Sequence, residues 1–303
     1  MNFGESFLNT ENEGTLFVLV SGISFGFTPI FARLAYSQGI YVNELLFFRF
    51  LIAFLITGAI LVGRRRLSLP RRQDLLILIA LGAFAYFLET TLYFTALLYT
   101  SVAVAALILY TYPAFVVIGA STLGWERVSR SLVIAIAIAL LGLSLVANPA
   151  GNSVGIGVVL ALGASVMYTA YILGGSRVLR RVKGDVAAFY VMGATSLTFG
   201  LSGAAMGSFR LNWGPWGWIC ILSISLICTV IAVITFFTGI AKIGPSRSAM
   251  ISLVEPLTSV LVALAIFGNA MTAPQWFGGL LILAATAAIA RFSTSTPTQE
   301  RGT

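Results

Sequence analysis

No histidine occurs anywhere in these 303 residues, which removes the commonest general base and the usual nitrogen ligand for a metal. Charge is scarce as well. Only 9% of the chain is Asp, Glu, Lys or Arg, against about 25% in soluble domains. The two cysteines, Cys220 and Cys228, fall in one apolar run, so a disulfide framework is excluded. A Walker loop, a GxGxxG-plus-acid unit, a metal-ligand cluster and a nucleophile elbow are all missing, so no cofactor or metal is implied. An intramembrane enzyme would need a catalytic cluster at depth, and at depth the apolar runs offer two glutamates, Glu89 and Glu255, on different segments and no histidine.

What the chain has is hydrophobic surface. Apolar residues make up 58%, where soluble chains carry about 45–50%. Eighteen basic and ten acidic residues cannot cover a globule of this size, so lipid must solvate most of it. The net charge of +8 then indicates orientation rather than nucleic-acid affinity.

A bilayer core about 30 Å thick takes about 20 apolar residues per helix. Runs between charge clusters and turn signals fall roughly at 14–36, 43–62, 74–97, 101–122, 130–147, 154–174, 186–206, 215–240, 246–268 and 273–291. They are continuous, without the period-2 alternation of a barrel strand, so an all-α integral membrane protein with ten transmembrane helices is expected. Residues 1–13 lack Lys and Arg, the wrong flank for a cleavable signal, so the first run is a true span. Lys and Arg gather after even-numbered spans and in the tail, as at Arg64, Arg65, Arg66, Arg71 and Arg72. The opposite side has Arg33 and Arg210. By the positive-inside rule both termini are cytoplasmic, with 1–13 an N-terminal segment and 292–303 a disordered Ser/Thr/Pro-rich tail.

Sliding the chain by 143 residues places Phe94-Thr95 on Phe237-Thr238, Ile108 on Ile251, Pro113 on Pro256 and Phe25 on Tyr168. Two repeats, 14–147 and 154–291, would each hold five spans. An odd number inverts the second half relative to the first.

The segment Ile251-Ser252-Leu253-Val254-Glu255-Pro256, continuing through Gln275-Trp276-Phe277-Gly278-Gly279, resembles the second repeat of the drug/metabolite transporter superfamily. Tyr110-Thr111-Tyr112-Pro113 through Gly124-Trp125-Glu126 resembles the first. The acidic residue the family usually places after span nine is Asn269 here. EamA-type exporters of amino acids and related metabolites are the nearest group, aromatic amino acid exporters among them. The resemblance implies a ten-span exporter in a bacterial inner membrane, working by alternating access on a small-molecule substrate.

Ionisable residues inside spans cost at least about 2.5–3.5 kcal/mol on insertion scales, so each needs a reason. Arg33 and Glu44 lie at the outer interface, where they can pair or snorkel. Arg49 and Glu89 sit about 9 and 12 Å down, at similar depth, and an ion pair between them is expected. Glu255 is near mid-bilayer without an opposite charge. Pro256 after it disfavours helical geometry at Glu255 and frees a carbonyl one turn back. Glu255 either patches that backbone or is a substrate or proton site, with protons a candidate coupling ion.

Ser248, Ser252, Glu255 and Ser259 are spaced to share one helical face, lining a pathway or gluing helices. The repeat sets Tyr112 opposite Glu255, each directly before a proline (Pro113, Pro256). Tyr86, Glu89 and Tyr93 share a face of span three, Tyr168 and Tyr171 one of span six, and Phe25 with Thr28 one of span one. Such a lining suits apolar or aromatic zwitterions, and core packing is the competing account. Gly22-x-x-x-Gly26 fits close helix packing. Small-molecule substrate and lipid are the partners indicated, with no nucleic acid; the oligomeric state is left open. A channel or a translocator of lipids or drug cations is the alternative class.

Overall fold

The computed structural model describes residues 3–123, 130–147, 155–179, 181–207, 209, 212–243, 251–252, 254–268 and 271–293. Among these there is no β-strand, as continuous apolar runs require: in lipid every backbone N–H and C=O must be satisfied within its own segment. The first half contains α1 (Phe3–Gly26), α2 (Thr28–Ser37), α3 (Val42–Gly63) and α4 (Arg72–Ala80). A π-helical stretch, π1 (Leu81–Tyr86), joins α4 to α5 (Phe87–Tyr99), followed by α6 (Val102–Leu109), α7 (Tyr112–Thr122) and α8 (Arg130–Ala147). The second half contains α9 (Ile156–Val178), α10 (Gly184–Met206) and α11 (Pro215–Ser225). A second stretch, π2 (Leu226–Ile231), leads into α12 (Ala232–Ile243), with α13 (Val254–Phe267) and α14 (Ala273–Ser293) completing the order.

Six of the described helices are long and apolar enough to cross a membrane: Asn12–Ser37, Val42–Gly63, Arg72–Tyr99, Ile156–Gly175, Gly184–Met206 and Pro215–Phe236. They match the first, second, third, sixth, seventh and eighth expected runs. The fourth, fifth, ninth and tenth appear as shorter apolar helices, Val102–Val116, Val133–Val146, Val254–Phe267 and Ala273–Ala285. Helix α1 starts at Phe3, well ahead of residue 14, and α14 extends to Ser293. The rest of the expected disordered tail, with Ser248, Gly124, Trp125, Glu126 and Asn269, lies outside the described residues.

Helices from the two halves interleave. α1 packs along α12, α5 along α9, α3 along α10, and α8 along α14. The main core is fully buried aliphatic and aromatic packing around Phe50, Phe94, Phe199, Leu45, Leu46 and Ile221. At the expected cytoplasmic end, two ion pairs each join an acid of the first half to a base of the second. Asp74 Oδ1 meets Arg181 Nη2 at 2.6 Å, and Glu13 Oε2 meets Lys242 Nζ at 2.7 Å. The opposite end, the expected outer interface, is organised by helix caps. Glu44 accepts from the Tyr41 N–H at 3.0 Å at the start of α3, and Arg33 donates to the Leu97 carbonyl at the end of α5. An acid at a helix N-terminus and a base at a C-terminus both complement the helix dipole. Arg33 and Glu44 therefore serve separate helix ends rather than each other.

Candidate functional site

The described helices break at three places. α1 stops at Gly26 and α2 resumes at Thr28-Pro29; α6 ends before Tyr110-Thr111 and α7 opens with Tyr112-Pro113; Ser252 sits in a turn before α13 begins at Val254. Each proline thus falls in a first helical turn, where its missing N–H has no partner to lose. This corrects the expectation at Glu255. The residue is helical, in the first turn of α13, because the disruption lies upstream. The carbonyl that the Pro256 ring would crowd belongs to Ser252, already turned out of the helix. That carbonyl accepts from the Glu255 N–H at 3.0 Å and from the Tyr110 hydroxyl at 3.3 Å.

Tyr110, which the sequence did not single out, therefore repairs the broken backbone. It is buried and hydrogen-bonded to the Glu255 side chain as well. Glu255 is half-buried, and Ser252 Oγ beside it is buried without a hydrogen-bond partner among the described residues. The four-residue stripe does not survive as one helical face, since Ser252 precedes the helix. Ser259 Oγ donates to the Gly26 carbonyl at 2.8 Å, so that serine is glue. α1 comes this close because Gly22 and Gly26 have no side chain. A Cβ on Gly26 would lie 2.6 Å from Thr258 Cβ and 2.9 Å from the Glu255 carbonyl oxygen.

The tyrosines form a connected series of rings leading from the break. Tyr110 and Tyr112 centroids are 5.6 Å apart, Tyr112 and Tyr168 4.8 Å, Tyr168 and Tyr171 6.0 Å, and Tyr171 and Tyr86 4.9 Å. Tyr86 then meets Phe50 edge-on at 5.3 Å. These spacings suit edge-to-face and offset stacking. Tyr86, Tyr112, Tyr168 and Tyr171 each keep part of their surface open, whereas Tyr93 is buried against Phe94 at 6.0 Å. Glu89 is 5% exposed and shares an electrostatic neighbourhood with Arg49, Glu255, Tyr86 and Tyr93. Thr28, at the α1–α2 break, is buried, with the Cys228 thiol of π2 as its neighbour. Phe25 is half-buried on α1, and no ring pairing joins it to the series among the described residues. Pro113 opens α7, but its side chain lies outside what is described.

The expected Arg49–Glu89 ion pair is not formed. Arg49 Nε donates instead to Thr229 Oγ1 at 2.9 Å, and its guanidinium carbon sits 5.0 Å from the Phe50 centroid and 5.3 Å from that of Phe94. Two aromatic faces and a hydroxyl hold the cation without a direct ion pair among the described residues, a combination that equal depth along two spans does not reveal. Thr229 lies in π2. The other π-helical stretch is held in a similar way: Thr195 Oγ1 of α10 donates to the Gly82 carbonyl of π1 at 2.9 Å. Widened helical turns leave backbone groups to satisfy and recur at functional sites. Here each is bonded by a side chain from the other half.

Known proteins agree with this picture at the level of family. An "Uncharacterized transporter" of Archaeoglobus fulgidus is 28% identical over 275 residues, covering 89% of this chain and 94% of the relative. "Uncharacterized transporter YcbK" of Bacillus subtilis is 25% identical, covering 88% of each. One solved crystal structure shares the fold, with a TM-score of 0.64 at 21% identity over 94% of this chain. The sequence profile of the EamA-like transporter family matches twice, over residues 12–148 and 155–291, the two matches starting 143 residues apart. With most of its length covered by those two matches, this chain belongs to the EamA-like transporter family, whose members are membrane transporters rather than enzymes.

Proposed function

We propose that the protein is a ten-span secondary exporter in a bacterial-type plasma membrane. It moves small organic metabolites, foremost amino acids and related compounds, between two inverted five-helix halves. The observation that carries this reading is the meeting of broken helices at Glu255. An acid in the first turn of α13, a phenol bonded to it, an unpartnered Ser252 hydroxyl and a row of partly open tyrosines converge there. Irregular backbone and polar groups inside apolar spans are tolerated where they line a pathway.

The helix partners support inversion. Exchanging the halves turns the α1–α12 contact (spans one and eight) into α5–α9 (spans three and six), and α1–α13 into α9 with α6 and α7. The α3–α10 and α8–α14 contacts map onto themselves, as a two-fold axis requires. The ion pairs Asp74–Arg181 and Glu13–Lys242 tie the halves at one end, while a cavity of about 590 Å³ opens at the other. On this reading the cytoplasmic side must separate for loading. No ATP site is present in the sequence, so the substrate gradient or protons at Glu255 supply the energy.

Counterflow in proteoliposomes with a panel of amino acids tests the reading. Wild type should show saturable, competable exchange. Glu255→Gln keeps the shape and a hydrogen-bond donor, and should lose exchange or its pH dependence at near-normal thermal stability. A Glu255→Gln protein exchanging at the wild-type rate, with an unchanged pH profile, would reduce Glu255 to a packing residue.

A further inference from the structure

The outer cavity has a chemical bias that the central tyrosines do not explain. Its volume, about 590 Å³, lies in the usual range for small-molecule sites. Arg33, Tyr99, Thr100, Ser101, Met271 and Gln275 line it, a wall with one cation and, among the described residues, no acid. Arg33 is fixed there by the fold. Its Nη1 donates to the Leu97 carbonyl and, at 3.4 Å, to that of Thr100, the groups that the end of α5 leaves without helical partners. Among the described residues these are its only bonds, and Arg33 joins no ion pair. Nε and Nη2 therefore remain as a parallel pair of donors, the edge of a guanidinium that matches a carboxylate in bidentate fashion. Gln275 is buried in the same wall, with its Oε1 occupied by the Thr272 N–H at 3.0 Å, so its carboxamide is held in place.

We infer that this vestibule is a release site for solutes bearing a free carboxylate, held by the Nε–Nη2 edge of Arg33. The inference rests on the exporter reading and narrows its substrate class to organic acids and zwitterions. The anchoring by two backbone carbonyls matters. A side chain positioned before the ligand arrives loses little freedom on binding, and a positive site at the outer end draws an anionic group away from the central tyrosines.

The test compares phenylalanine with phenylalaninamide, which differ at the carboxyl group, as counterflow solutes and as thermal stabilisers of the detergent-solubilised full chain. Wild type should prefer the acid about tenfold or more, the scale of one charge-assisted hydrogen bond. Arg33→Lys keeps the charge and a donor for the α5 carbonyls but lacks the planar fork, so the preference should shrink while the melting midpoint stays close to wild type. Arg33→Gln should abolish it and leave residual exchange of both compounds alike. Equal handling of acid and amide by wild type, or an undiminished preference in both variants, overturns the assignment while leaving the exporter reading intact. Absence of counterflow for the whole solute panel would instead overturn the exporter reading.

Discussion

Arg49 offers the sharpest check on how this membrane core is held together. The guanidinium is 3% exposed, bonded to Thr229 Oγ1 at 2.9 Å, and lies over the Phe50 and Phe94 rings. A hydrogen bond to a charged group is worth about 1.5–3 kcal/mol, and a desolvated cation–π contact up to about 2 kcal/mol. Arg49→Met would remove these together with the cost of burying the charge, so its net effect is small and uninformative. Arg49→Lys keeps the buried charge but loses the planar donor and its stacking, and should cost about 2–4 kcal/mol. Thr229→Val should cost about 1.5–3 kcal/mol, and the double variant should fall short of the summed losses by a similar amount. The chain supplies its own reporter. Cys220 and Cys228 are free and buried, Cys228 directly beside Thr229, so a thiol-reactive dye reads out unfolding in a thermal ramp. Either single variant should also speed native-state labelling of Cys228 as π2 loosens. Strict additivity for Arg49 and Thr229 would refute the argument. So would a larger coupling between Arg49→Lys and Glu89→Gln, which would point to a direct ion pair between those two side chains.

Two further outcomes follow from the fold. A cysteine introduced as Arg65→Cys should resist a membrane-impermeant reagent added to intact cells, and labelling from outside would invert the assigned topology. Tyr110→Phe should leave the Ser252 carbonyl with the Glu255 N–H alone and cost about 0.5–1.5 kcal/mol in thermal stability, with altered exchange because Glu255 loses a neighbour. Unchanged stability and exchange in that variant would remove Tyr110 from the site.

The spans were legible because length and hydropathy suffice to mark a helix in lipid, and charge clusters mark its ends. The breaks at Tyr112-Pro113 and Glu255-Pro256 were legible because proline announces them, although the kink sits before each Xaa–Pro pair rather than at it. Nothing in Leu81–Tyr86 or Leu226–Ile231 announces a π-helical stretch, since the same apolar residues make ordinary helix elsewhere. Tyr110 escaped for a related reason. Proline marks the residue before it, while the phenol that serves the break comes from the opposite half. A lone Thr229 in an apolar run was the available hint to the partner of Arg49.

Sequence alone could not sort the polar residues into those spent on the fold and those left for a ligand. Ser252 and Ser259 look alike in the chain, one turn either side of Glu255. In space Ser259 is consumed by the Gly26 carbonyl, while Ser252 Oγ has no partner. Thr195 is likewise consumed, by the Gly82 carbonyl of π1 across the halves. A buried polar group without a partner is costly, about 1–3 kcal/mol, and apolar spans have every alternative residue available. Groups left unsatisfied at helix breaks are therefore the ones whose partner arrives from outside the protein. By that reasoning Ser252, beside Glu255, marks the central site, and the open edge of Arg33 marks the way out.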